Sequence, residues 1–384
     1  MEERNYWIGF SVFPGIGPAR FQTLLKTFGS AKDAWHASRK EIEKALGPKL
    51  AEHFETFRSN FSLEQYTKRV EEKNVWFVTL TDSEYPQLLK QIPNPPFVLY
   101  GKGDLDCLYS SSEANAESRS RRSSEEGSRQ ARTIKPTIGV VGTRKITSYG
   151  EQVTRLLTQE LVQAGCVIMS GLAMGVDAVA HTTTVENGGK TIAVLGCGVD
   201  CCFPATNQNV YDSILESGGC IVSEYPLSAQ PTKGSFPSRN RIIAGLSQGV
   251  LVTEGAEDSG ALITASNAAS LKRPVFAVPG QITSSLSKGP FALLSKGAHL
   301  VTESSTILQV LGINHLAEKI KKGKIKGENA DEQKIIDLLQ NESMSFDELV
   351  KKTKIDSSKM GALLSLMEVR SVIRSNNSSL YSLA

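Results

Sequence analysis

Short apolar runs rich in β-branched residues recur at Ile138–Val141, Val167–Met169, Ile192–Leu195, Cys220–Val222, Val250–Thr253 and Val275–Val278. Each is bounded by glycine or proline, and stretches with helical spacing lie between most of them. An unbroken apolar run marks a strand covered on both faces, and strands separated by helices pair in parallel. The pattern predicts an α/β fold with a buried parallel sheet over residues 136–313.

The first hundred residues carry the helical period instead. Phe21, Leu24, Leu25 and Phe28 share one face, and a second run passes through Ile42, Leu46, Leu50 and Phe54. Residues 1–75 are expected to form a helical domain of helix-hairpin-helix or SAM type, with 76–106 leading into the sheet. Before the first run stands Pro14-Gly15-Ile16-Gly17-Pro18-Ala19-Arg20. Its Gly-x-Gly turn opening a helix fits two readings equally: a hairpin whose backbone N–H groups take a DNA phosphate, or a structural turn between packed helices.

The tail from Ala330 places Ile335, Ile336 and Leu339 on one helix, Phe346, Leu349 and Val350 on a second, and Leu363, Leu364 and Met367 on a third. A hairpin is expected to follow, with Val372 and Ile373 paired across Asn376-Asn377-Ser378 to Leu380 and Tyr381. Three helices and a wing predict a winged-helix domain over 330–384. Its recognition helix carries only Lys359 as an exposed cation, so contact with protein fits it at least as well as DNA reading.

Composition adds two segments to this layout. Residues 107–135 change abruptly to Ser, Arg and Glu, as in Ser118-Arg119-Ser120-Arg121-Arg122-Ser123-Ser124, and read as a disordered insertion. The Lys- and Gly-rich stretch 314–329 reads as a linker. A formal net charge of +3 permits a nucleic-acid partner without proving one. The six cysteines show neither a CxxC pair nor a histidine at ligand spacing, so no metal site or disulfide framework is expected. No segment approaches a membrane span, and the expected location is the cytoplasm.

In an open α/β sheet, ligands lie beyond the carboxyl ends of the strands. The first such loop is Gly142-Thr143-Arg144-Lys145. There a glycine lets backbone approach a phosphate, and Arg144 can donate two hydrogen bonds to it. The loop is not GxGxxG and no acidic residue is placed for a ribose hydroxyl, so no nicotinamide or flavin cofactor is expected. The second loop, Ser170 to Asp177, supplies a hydroxyl with Gly171 and Gly175 as an anion-accepting nest, braced by Asp177. His181 follows on the next helix with no nucleophile partner, which favours a structural hydrogen bond over proton transfer. The third stretch is Ser235-Phe236-Pro237-Ser238-Arg239-Asn240-Arg241. It combines two guanidinium groups, an amide and a ring on which a base can stack. The fourth joins Thr253-Glu254 to Ser259-Gly260-Ala261-Leu262-Ile263-Thr264, another turn and helix start, in which Ser259, Gly260 and Thr264 are candidate contacts. Glu254 has no second carboxylate at a matching position, so no catalytic residue is assigned.

Together these stretches resemble the DprA/Smf family of DNA-processing proteins. The matching signatures are Tyr85-Pro86 with Leu88-Leu89, Pro95-Pro96-Phe97-Val98-Leu99-Tyr100-Gly101, Val140-Val141-Gly142-Thr143-Arg144, Ser170-Gly171-Leu172-Ala173, Phe236-Pro237-Ser238-Arg239-Asn240-Arg241, and Ser259 to Ala265 running on to Phe276-Ala277-Val278-Pro279-Gly280. The resemblance covers nearly the whole chain. It implies an extended Rossmann-like fold that is not an enzyme, binds single-stranded DNA in a basic pocket, forms a homodimer and loads the RecA recombinase during natural transformation. Carried over by motif, the pocket would use Arg144, Ser170, Gly171, Arg239 and Arg241. The insertion at 107–135 departs from the family pattern, as does Cys201-Cys202-Phe203-Pro204, which stands where an apolar pair and Tyr-Pro are usual. Two rivals remain: a Rossmann-like nucleotide hydrolase, which would need a PGGxGTxxE loop where Val252-Thr253-Glu254-Gly255-Ala256 stands, and a winged-helix regulator of duplex DNA.

Overall fold

The computed structural model describes residues 2–108, 135–314, 316, 327–340, 342–370, 372–375 and 380–383. The chain forms two compact units, residues 1–317 and 318–384. Nearly all of the Ser/Arg-rich insertion and most of the expected linker lie outside the described residues.

Six helices open the first unit: α1 (Glu3–Val12), α2 (Pro18–Phe28), α3 (Ala31–His36), α4 (Arg39–Leu46), α5 (Pro48–Asn60) and α6 (Leu63–Glu72). The apolar run from Ile42 to Phe54 is therefore two helices and not one. Gly47, at φ +85°, ends α4, and Pro48 starts α5. A left-handed glycine followed by a residue without an N–H both stops one helix and begins the next. In the Gly15–Gly17 turn, Arg20 donates to the Gly15 carbonyl at 2.6 Å.

Among the described residues, nine strands form one sheet: β1 (Trp76–Thr79), β2 (Val98–Gly103), β3 (Thr137–Val141), β4 (Val167–Ser170), β5 (Thr191–Val194), β6 (Cys220–Ser223), β7 (Gly249–Val252), β8 (Val275–Ala277) and β9 (His299–Leu300). The order is β1-β2-β6-β5-β4-β3-β7-β8-β9. From β6 to β9 all pairs are parallel, while β1 with β2 and β2 with β6 are antiparallel. The sheet is thus mixed, and two strands come from the region expected to be a helical domain and lead-in. Val75–Val78 and Phe97–Tyr100 are themselves apolar runs, but they lie in the part of the chain read by its helical spacing, and their antiparallel pairing falls outside the parallel strand–helix alternation. Gly101 is required in β2: a Cβ would meet the Trp76 ring at 2.0 Å.

The connecting helices are α7 (Gln87–Lys90), α8 (Ser148–Gln163), α9 (Val176–Glu186), α10 (Gln208–Glu216), α11 (Ser235–Leu246), α12 (Gly260–Ser270), α13 (Lys288–Ser295) and α14 (Ser304–Val310). Strand residues are buried in alternation on two faces. Ala193 and Ile221 join a core with the N-terminal aromatics Trp7, Phe10, Phe21, Trp35 and Phe54. Ile192, Val194, Cys220 and Val222 join the opposite core with Ile242, Ile243 and Ala265. Phe21 stacks on Phe97 at 4.1 Å between centroids, so the helical region and the sheet share one core.

The second unit has helices Ala330–Leu339, Phe346–Thr353 and Ser357–Val369, and strands Met344–Ser345, Ile373–Ser375 and Leu380–Leu383 in one antiparallel sheet. Its core contains Ile335, Ile336, Leu349, Leu363, Leu364 and Met367. The hairpin register differs from expectation: Ile373 pairs with Leu383 and Ser375 with Tyr381. The connection, positions 376–379, lies outside the described residues, and it is loop length rather than apolar matching that sets such a register. Lys359 donates to Asp331 at 2.6 Å, so the one cation expected on the third helix is ion-paired.

Candidate nucleic-acid interface

Four loops meet at the carboxyl ends of the central strands. Gly142 ends β3 where Val176 and the Glu254 carbonyl approach so closely that a Cβ would lie 2.5 Å from the former. The next residue, Thr143, donates its N–H to the Glu254 carbonyl and accepts from Val176 N–H, at 2.8 and 3.1 Å. Gly175, at φ +76°, lies where a Cβ would meet the Thr143 carbonyl at 2.3 Å. These contacts clamp the β3 loop between its two neighbours and leave Arg144 and Lys145 exposed.

The β4 loop is braced from within. The buried Asp177 carboxylate accepts from Gly171 N–H at 3.0 Å and Ala173 N–H at 3.4 Å. Ser170 is fully buried, and its hydroxyl donates to the Val140 carbonyl at 2.6 Å. The donors expected to form an anion nest are therefore turned inward by a carboxylate that is itself buried. Burial pushes the Asp177 carboxyl up, against the opposing pull of Arg239. Met174 stands 48 % exposed on the outside of the same loop.

Helix α11 supplies the third side. Arg239 is buried, its Nη1 donating to the Gly171 carbonyl at 2.6 Å and to the Val194 carbonyl, and its Nε to Asn240 Oδ1 at 3.2 Å. Burial depresses its guanidinium pKa. The guanidinium thus closes the sheet end and does not face solvent. Arg241 points elsewhere, into an ion pair with the half-buried Glu224, which also accepts from the Ser238 hydroxyl at 3.3 Å. Asn240 Nδ2 donates to the Gly260 carbonyl at 3.1 Å and so ties α11 to the start of α12. There Ser259 accepts from Ala261 N–H, and Thr264 is buried one turn further on.

The rim's open surface lies at the beginning of α11. Phe236 is half-buried, and the Arg144 guanidinium carbon sits 5.3 Å from its ring centroid, within cation–π range. Phe203, 44 % exposed, stands 5.5 Å from the same ring, and Lys233 is exposed just before the helix. The structure thus joins Gly142, Arg144, Gly171, Gly175, Phe236, Arg239, Asn240 and Gly260 in one network, and leaves Arg241 and Thr264 outside it. Phe203 and Lys233 were not legible as candidates from spacing alone. The signal was present only as an aromatic before Pro204 and a cation before a helix start.

Glu254 and His181 are both held in internal hydrogen bonds. Glu254 accepts from Thr147 N–H at 3.0 Å and from its hydroxyl at 2.6 Å, at the start of α8. His181 is buried with Nδ1 2.7 Å from the Thr191 hydroxyl, which donates to the Ile168 carbonyl at 2.8 Å. Burial, reinforced by Arg239, pulls the imidazole pKa down to about 3 and keeps it neutral.

The chain is an α/β protein with a mostly parallel sheet, whose strand-end loops and α11 start carry the exposed Arg144, Lys145 and Lys233 and the rings of Phe203 and Phe236. The chain belongs to the DprA/Smf family: the sequence profile of the family described as DNA recombination-mediator protein A matches residues 76–138 and 126–312. Protein Smf of Synechocystis is 37 % identical over 326 residues, covering 84 % of this chain and 76 % of the relative. The crystal structure of DNA processing protein A from Streptococcus pneumoniae superposes with a TM-score of 0.64 at 32 % identity, over 79 % of this chain and 97 % of that one. DNA processing protein A from Helicobacter pylori, solved for its single-stranded DNA binding mode, matches with a TM-score of 0.50 at 29 % identity, over 61 % of this chain and 95 % of that one.

Proposed function

We propose that this protein is a non-catalytic, cytoplasmic DNA-processing protein that binds single-stranded DNA across the strand-end rim of a Rossmann-like sheet. The observation that carries the reading is Arg144, exposed over the Phe236 ring, with the exposed Lys145 next to it in sequence and Lys233 exposed just before α11. Cations take phosphates of an unpaired chain, and a ring beside them takes the face of a base, which a duplex keeps stacked. The relative from H. pylori, described by its single-stranded DNA binding, supports the same ligand.

Within this reading the twelve expected residues divide by environment. Arg144, Phe236 and the exposed backbone at Gly260 touch the strand. Gly142, Ser170, Gly171, Gly175, Arg239 and Asn240 hold the loops that present them, with Ser259 and Thr264 fixing α12. Arg241 acts through Glu224 on the outer side of α11. We further propose that the DNA so bound is handed to the RecA recombinase in transformation, that the protein acts as a homodimer, and that residues 330–384 are a winged-helix domain that contacts protein. The domain limits at 1–75, 76–106, 107–135, 136–313 and 314–329 belong to the same reading.

The test is competition between a single-stranded oligonucleotide and the corresponding duplex for the full-length protein at fixed salt. Single strand is expected to win clearly. Equal affinity, or a preference for duplex, would overturn the proposal, and release of free base from nucleoside monophosphates would replace it with hydrolysis.

A further inference from the structure

Phe203 is an aromatic side chain that the fold holds in the open. It stands in the loop after β5, and that loop is anchored before it at Val199 and Asp200 and after it at Asn207, whose Nδ2 donates to the Leu172 carbonyl at 2.9 Å. Val199 is fully buried and its carbonyl accepts from the Tyr211 hydroxyl at 2.5 Å. Asp200 accepts from Ser228 N–H at 2.7 Å and from Lys73 Nζ at 2.6 Å. Gly196 lets the loop press against the start of α11, where a Cβ would come within 3.3 Å of the Phe236 ring. The outcome is a ring that is 44 % exposed on a backbone that is not free to tuck it away. An exposed ring next to a second ring and an exposed cation offers a π-face on which an unpaired base can stack.

The second ring explains which face is open. Phe236 is already engaged, with Phe203 5.5 Å away at an interplanar angle of 36° and the Arg144 guanidinium over its face. Phe203 is the member of the pair with surface to spare, and it lies one ring away from the group that would hold a phosphate. Resting on the single-strand reading above, we propose that Phe203 is the platform for an unpaired base next to the phosphate taken by Arg144, with Phe236 as the wedge that sets both. Stacking on a π-face accepts every base, so this contact adds affinity without sequence preference.

The test uses the full-length protein with two ligands of equal length, an oligothymidylate and an abasic phosphodeoxyribose strand. Phe203→Ala is expected to weaken oligothymidylate binding about tenfold and to leave the abasic strand unchanged, in line with the alanine cost of one stacked base. Phe203→Leu, which keeps apolar bulk, should lose as much, and Phe203→Trp should retain binding. Unchanged affinity in the alanine variant, equal losses on both strands, or full binding by the leucine variant would each overturn the platform. Wild-type protein that binds neither strand would instead overturn the DNA-binding reading beneath it.

Discussion

Arg144 and Arg239 stand on the same rim, and burial separates what they can do. Arg144 is exposed over a ring, whereas Arg239 lies under Gly171 with its donors on two backbone carbonyls. Removing a buried charged donor strands its partners, so Arg239→Ala is expected to cost about 3 kcal/mol of stability or more. Arg144→Ala should stay within about 0.5 kcal/mol while weakening single-strand binding. Urea midpoints set beside oligonucleotide affinities separate the two, and an unshifted midpoint in the Arg239 variant would refute the internal role. His181 makes a second residue-scale prediction. Its folded pKa of about 3 lies below the usual 6.5, so below that value the unfolded chain binds the extra proton and stability falls with pH. From this group alone the loss between pH 7 and pH 5 should be about 2 kcal/mol, and His181→Gln should flatten that stretch of the stability curve. No partner for this histidine was legible among its chain neighbours; Thr191 sits on β5 and meets it only in the fold.

At the scale of elements, the loops are held by residues six or fewer positions away and by neighbours a hundred away. Asp177 braces Gly171 within one turn and was legible as such. The close approach of Gly175 to Thr143 was not, because it joins two different strand-end loops. Gly175→Ala would place a side chain at φ +76° and drive it into a carbonyl, and a loss of about 2 kcal/mol or more is expected, read by thermal unfolding. The six strands expected from apolar runs all form, with ends displaced by a residue or two, since uninterrupted burial on both faces leaves that mark. Strands β1 and β2 escaped although Val75–Val78 and Phe97–Tyr100 are apolar runs too, because they pair antiparallel at one end of the sheet and stand outside the parallel strand–helix alternation. Likewise Gly47-Pro48 cut a helix where the apolar period continued across it.

Over the whole molecule, a net charge of +3 supplies little general attraction to DNA, so binding should depend on the few cations gathered at the rim. Each phosphate neutralised changes the slope of log affinity against log salt by about 0.7 for single strands. Arg144→Ala should therefore flatten that slope by about one such step, measured by salt titration. An unchanged slope would mean that Arg144 holds no phosphate. The same distribution places the carboxylates Asp177, Glu224 and Glu254 in internal contacts, which keeps them off the exposed rim.

By itself the sequence determined the alternation of strands and helices, the glycine-opened turns and the ordered motifs of the family, because apolar periodicity and backbone freedom are local properties of the chain. Tertiary structure alone decided which cations face outward, which serve the sheet, and that Phe203 comes to rest beside Phe236. Exposure and contact depend on segments brought together from far apart, and no spacing along the chain encodes them.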